Sequence, residues 1–253
     1  MAILDFRFHS EALQREVSLN IILPEPKRLG AHYQTLYLLH GLSGDHTSWC
    51  RQSSIERYAA AYGIAVVMPD AERSWYADTA YGAPYFTFLT SELPRVCQGY
   101  FKGMSPRRED NAIAGLSMGG YGAIKAAVLC PERYGYAASL SGSLDITRRG
   151  RPYPLELWRG NFGFDLPDAT ALEGSENDLF ASTRRAIEAG KELPKLFLWC
   201  GTEDSLLHTN RAYRDLLCEL DVEHAYSESE GDHSWQWWDL HIRDVLKWIY
   251  EKK

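Results

Sequence analysis

The chain has 253 residues, 45% of them hydrophobic and 24% charged, with a formal net charge of −7. A chain of this length buries roughly 70–75% of its unfolded surface and needs no disulfide staples, and its acidic balance argues against nucleic acid or an anionic membrane as main partner. Five cysteines, an odd number without a C-x-x-C pair, read as free thiols in a reducing compartment. Met1 to Phe8 lacks a basic segment followed by an apolar core, and no stretch approaches the about eighteen apolar residues of a membrane span. The expected location is therefore the cytoplasm.

In chain order, Val17 to Leu23 reads as a strand closed by Pro24-Glu25-Pro26, and Thr35 to Leu39 as a nearly all-apolar strand that runs into His40-Gly41-Leu42-Ser43-Gly44. Ser54 to Tyr62 predicts a short helix, and Ile64 to Met68 a third buried strand. Tyr85 to Phe101 carries a helical pattern that Pro94 should kink or shorten. Further strands are expected at Ala112 to Leu116, Tyr136 to Leu140, Leu196 to Cys200 and Val222 to Tyr226. Helices are expected at Gly120 to Cys130, His208 to Leu220 and Trp237 to Tyr250. Short apolar strands alternating with helices predict an α/β fold, a mostly parallel sheet covered on both faces, with ligands bound beyond the carboxyl ends of the strands. The whole chain, 1–253, reads as one domain. Ser141 to Pro194 interrupts the alternation with an Arg148-Arg149-Gly150-Arg151 run, Pro152, Pro154, Pro167 and an acidic segment. Long excursions are often functional, so a cap or lid at about 144–193 stands beside a solvated loop as its reading.

Gly115-Leu116-Ser117-Met118-Gly119 is a G-x-S-x-G pattern between an expected strand and an expected helix. That context suits a sharp turn that exposes a nucleophilic serine, with glycines where side chains would collide with the flanking elements. An activated serine needs a base, and an acid to orient the base. Of the eight histidines, His233 lies in Gly231-Asp232-His233-Ser234-Trp235, after the last strand and before the last helix, and is the candidate base. Asp204, in Gly201-Thr202-Glu203-Asp204 after another strand, is the candidate acid, with Glu203 its nearest competitor. The chain order Ser117, Asp204, His233 places three reactive groups at successive strand ends. Backbone N–H donors for a developing oxyanion are assigned to Met118, which follows the serine, and to Leu42 in the His40-Gly41-Leu42 loop, where His40 should hold the loop. Trp75, Tyr76 and Trp235 stand near these positions and are candidate substrate-pocket residues, with packing as their other reading.

HGLSGDHTSW, MPDAERSWYAD, AGLSMGGYGAIKAA, CGTEDSLL and GDHSWQWW together resemble the esterase D group of α/β-hydrolases, from about Phe6 to Trp248. That group includes S-formylglutathione hydrolases, short tributyrin-type esterases and feruloyl or acetyl-xylan esterases. The resemblance implies the α/β-hydrolase fold and hydrolysis of a small carboxylic ester, with no cofactor and no metal. It implies the same nucleophile, base, acid and donors: Ser117, His233, Asp204, Leu42 and Met118. Leu116 and Tyr121 stand where S-formylglutathione hydrolases typically carry His at the elbow, so the short tributyrin-type esterases are the closer match. The group also resembles mycolyl-type acyltransferases, which pass the acyl group to a sugar hydroxyl instead of water. Whether the chain forms a homo-oligomer is left open by the sequence.

Overall fold

The structure, a computed structural model, describes residues 1–25, 32–147, 155–163 and 169–251. Pro26, the Arg148–Arg151 run, Pro152, Pro154 and Pro167 lie outside the described residues. The strands are β1 (Ala2–Ser10), β2 (Arg15–Leu23), β3 (Thr35–Leu39), β4 (Ala65–Pro69), β5 (Asn111–Leu116), β6 (Tyr136–Leu140), β7 (Lys195–Gly201) and β8 (His224–Ser229). The helices are α1 (Ser48–Gln52), α2 (Ile55–Tyr62), α3 (Tyr85–Thr87), α4 (Leu93–Tyr100), α5 (Met118–Leu129), α6 (Leu155–Phe162), α7 (Leu179–Glu188), α8 (Leu207–Glu219) and α9 (Trp235–Tyr250).

The strands form one sheet in the order β1-β2-β4-β3-β5-β6-β7-β8. From β4 to β8 every pairing is parallel, whereas β1–β2 and β2–β4 are antiparallel. The central strands are buried along their whole length, because successive side chains point to opposite faces and both faces are covered. Tyr37, Leu39 and Ile113 enter one apolar cluster with α5 and α8, while Leu36, Leu38, Ala112 and Ala114 enter the other with α2 and α9.

Four elements depart from the sequence expectation, the short helix α1 among them. The edge strand β1 was not expected, because its outward residues Asp5, Arg7 and His9 break the apolar run. Its inward Phe6 and Phe8 pack on Tyr100, Phe101 and Phe88, and the outward charges discourage another chain from pairing with this edge. The helical stretch from Tyr85 passes through a π-helical segment, Phe88–Glu92, and Pro94 falls in the first turn of α4. The wider turn accommodates a residue with no N–H to donate. The last strand runs over His224–Ser229 rather than Val222–Tyr226, which carries its carboxyl end closer to His233.

The excursion after β6 contains α6, a 3-10 turn at Ala169–Leu172 and α7 among its described residues. It packs back on the body of the protein. Trp158 lies 4.9 Å from Trp75 between ring centroids, and Asn161 donates to the Arg73 carbonyl. No helix among the described residues is long and apolar enough to cross a membrane.

Candidate active site

The site is built at the carboxyl ends of β3, β5, β7 and β8. Ser117 links β5 to α5 with φ 53° and ψ −117°, a left-handed backbone that is costly for a residue with a side chain. Three hydrogen bonds hold it there. Its N–H donates to the Leu140 carbonyl at 3.0 Å, and its carbonyl accepts from Ser143 and Tyr121, each at 3.1 Å. The turn closes tightly enough that a Cβ on Gly115 would lie 2.4 Å from the Gly119 backbone, and one on Gly119 would lie 2.5 Å from the Leu39 carbonyl oxygen. Glycine is therefore needed at both positions.

The structure brings Ser117, His233 and Asp204 together. His233 Nε2 lies 3.0 Å from Ser117 Oγ, and His233 Nδ1 lies 2.8 Å from Asp204 Oδ2. Asp204 Oδ1 accepts the Leu206 N–H at 2.8 Å. Burial pushes the Asp204 carboxyl up, but the His233 hydrogen bond and the nearby ring, together with the Leu206 N–H, outweigh this and hold it below its ordinary value. An ionised carboxylate only accepts, so Nδ1 carries the imidazole proton and Nε2 presents its lone pair to the serine hydroxyl.

Glu203, the competing acid, faces elsewhere. Its carboxylate accepts the Gly231 N–H at 2.7 Å, and its own N–H donates to the Gly231 carbonyl at 3.0 Å. With the bond from Thr202 N–H to the Ser229 carbonyl, this zips the acid-bearing turn to the base-bearing loop. The approach is close: a Cβ on Gly201 would lie 1.9 Å from the Gly231 carbonyl oxygen. Asp232 accepts the hydroxyl of Ser234.

Met118 is the first residue of α5, so its N–H has no acceptor within the helix and lies beside Ser117. Leu42 lies in the loop after β3, and Gly41 holds that loop against the elbow: a Cβ there would lie 2.7 Å from Leu116 Cδ1. His40 fixes the loop's peptide plane. Ala71 N–H donates to His40 Nε2 at 3.0 Å, so the ring proton is on Nδ1, which donates to the Gly41 carbonyl at 2.7 Å. That carbonyl and the Leu42 N–H belong to one trans peptide, so anchoring the first sets the direction of the second.

Trp75 and Tyr76 lie beneath the site rather than on its surface. Both are 0% exposed and offer no face to a ligand, which changes the expectation that they line a pocket. Trp75 packs on Tyr121 and Trp158, and the Tyr76 hydroxyl donates to the His40 carbonyl at 3.0 Å. Trp235 is half-buried between Trp49 and Trp238, and Trp238 meets the His233 ring in a T-shaped contact with centroids 4.9 Å apart. Sequence reasoning did not single out Trp49, Trp238 or Ser143; the crowding of aromatics in Trp235-Gln236-Trp237-Trp238 was the available signal. Among the described residues no group of three or more His, Cys, Asp or Glu side chains is placed to hold a metal ion.

Comparison with known proteins bears on the family and the fold. A family model described as "Putative esterase" matches residues 10–249. The chain is 29% identical to the acetyl esterase of Caldicellulosiruptor saccharolyticus, covering 98% of both proteins. Among solved structures, the fluorophosphonate-binding serine hydrolase FphF of Staphylococcus aureus superposes with a TM-score of 0.89 at 31% identity, over 99% of each chain. The S-formylglutathione hydrolase FrmB of Staphylococcus aureus gives a TM-score of 0.86 at 32% identity, again over 99% of each chain. The α/β-hydrolase fold and these similarities define the class: a carboxylic ester hydrolase. The chain belongs to the esterase family whose model spans nearly all of it.

Proposed function

We propose that the protein hydrolyses small carboxylic esters with a short acyl group, through an acyl-enzyme formed on Ser117. The observation that carries this reading is the unbroken hydrogen-bond chain from Ser117 Oγ through His233 to a buried, ionised Asp204. His233 Nε2 takes the hydroxyl proton as Ser117 Oγ attacks the ester carbonyl. Asp204 stabilises the imidazolium that results, and the Leu42 and Met118 N–H groups stabilise the oxyanion. The imidazolium then protonates the leaving alkoxide, and water repeats the sequence on the acyl-enzyme.

The acetyl esterase relative, similar from end to end, supports a short acyl group. The low exposure of Ser117, 7%, adds to this support. The described parts of the excursion after β6 pack on the turn that carries Trp75 and Tyr76, behind the site. The test is a panel of p-nitrophenyl esters of increasing acyl length, with methyl ferulate, acetylated xylan and S-formylglutathione beside them. Acetate and butyrate esters are expected to turn over fastest. Faster turnover of S-formylglutathione, or acyl transfer to an added sugar in preference to water, would overturn the assignment.

A further inference from the structure

The elbow helix α5 is apolar on every side, yet it contains Lys125, which is 0% exposed. Burying an ammonium is costly unless its N–H groups find partners. Lys125 Nζ donates to Asn177 Oδ1 at 2.7 Å and reaches the Tyr76 carbonyl at 3.4 Å, and it lies 4.6 Å from the centre of the Phe86 ring. Burial pulls the ammonium down to about 8, against the opposing pull of Glu176 and Asp78. Lys125 takes no part in the chain from Ser117 to Asp204. An apolar side chain of similar volume would fill the same space without the desolvation cost.

What an ammonium adds is a bridge between acceptors on separate segments. Asn177 directly precedes Asp178, whose carboxylate caps the start of α7. The Asn177 main-chain carbonyl also accepts the Tyr121 hydroxyl at 2.8 Å, so two side chains one turn apart on α5 grip this one residue. The other acceptor belongs to Tyr76. Its ring packs so closely on α5 that a Cβ on Gly122 would lie 2.5 Å from Tyr76 Cδ2, and its hydroxyl holds the His40 carbonyl. The next peptide along from His40 carries the Leu42 N–H.

We propose that Lys125 is a positioning residue: it clamps the start of α7 and the Tyr76 turn onto the elbow helix, and through the Tyr76 hydroxyl it holds the His40–Leu42 loop in register with Ser117. This rests on the assignment of Ser117 as nucleophile and Leu42 as oxyanion donor.

The test compares Lys125→Met, Tyr76→Phe and the double variant in steady-state hydrolysis of p-nitrophenyl acetate. Active sites are counted with a fluorophosphonate probe, and Ser117→Ala is the reference. A misplaced oxyanion donor acts on the transition state, so Lys125→Met is expected to keep KM within about twofold and to lose about tenfold or more in kcat per labelled site. Tyr76→Phe should show a comparable loss. Because both act through one chain of contacts, the double variant should lose little more than the worse single variant. If Lys125→Met does not fold, Asn177→Ala removes its nearest acceptor and is read in the same way. A wild-type kcat in the folded variant, or losses that multiply in the double variant, overturns the clamp. Turnover retained by Ser117→Ala overturns the catalytic assignment instead, whatever the Lys125 variants do.

Discussion

Among the described residues two Ser–His–Asp sets stand out, and their contrast shows what the proposed reaction asks of its surroundings. In the first, His233 lies 3.0 Å from the Ser117 hydroxyl and 2.8 Å from Asp204. In the second, His241 lies 3.2 Å from the Ser229 hydroxyl and 2.8 Å from Asp244. The distances barely differ, but the settings do. The Asp204 side chain is fully buried, whereas that of Asp244 is 55% exposed and its charge is shared with water. His241 stacks on Trp199 with centroids 3.9 Å apart. The Ser229 hydroxyl already accepts from Trp199 Nε1 at 3.0 Å and reaches the Glu230 carbonyl at 3.2 Å. Ser117 alone stands on a left-handed turn at the start of a helix, with a glycine loop facing it. Hydrogen-bonded order makes the second set a brace between β8 and α9. On the proposed function, an oriented, desolvated carboxylate and two backbone N–H donors suit the first set to acyl transfer.

The largest effect that separates them is deletion of each hydroxyl. Ser117→Ala is expected to lower kcat for p-nitrophenyl acetate by about 10⁴–10⁶, whereas Ser229→Ala should stay within about twofold of wild type. Next come the acids. Asp204→Asn should cost about 10⁴ in kcat by favouring the wrong imidazole tautomer, and Asp244→Asn should leave turnover intact. A brace is sensed by stability instead. His241→Ala should destabilise the fold by about 1–3 kcal/mol in denaturant unfolding, with kcat per folded molecule unchanged, because it strips a stacked ring and leaves Ser229 without one partner.

The smallest effect is in the acid limb of stability. The Asp204 carboxyl is held below its ordinary value in the folded state. Its contribution is therefore complete above the unfolded carboxyl range and is lost as pH falls through that range towards the folded value. Asp204→Asn should make that limb shallower in urea unfolding followed from neutral to acid pH; an unchanged slope would show that Asp204 does not carry it.

The elbow, the loops after β3 and β7, and the base before the last helix were legible because each has a local signature: a glycine pattern, an apolar strand, and a polar residue just past the strand's end. Strand-end logic admitted both Asp204 and its neighbour Glu203 as candidate acids, and the work Glu203 does could not be read. Its partner, Gly231, is close only after the sheet has formed. Trp75 and Tyr76 misled for a related reason. An aromatic pair beside a site has the same spelling whether it faces the ligand or supports the floor, and both φ values, 56° and 47°, belong to a turn whose shape emerges only with Trp158 and Gly122 against it. β1 was hidden because an open sheet edge tolerates Asp5, Arg7 and His9 on its outer side. Lys125 was hidden within an alanine-rich helix, where a lysine ordinarily marks the solvent side.

The contact between Ser117 and His233 joins residues 116 positions apart, and the zipped turns at Gly201 and Gly231 close only when β8 takes its place at the sheet's edge. During synthesis the elbow and the glycine loop emerge before the segment that carries His233, so the contact with Ser117 cannot form until the last strand and helix have been made. On the proposed function, loosening the β7–β8 edge should lower turnover before the rest of the fold gives way.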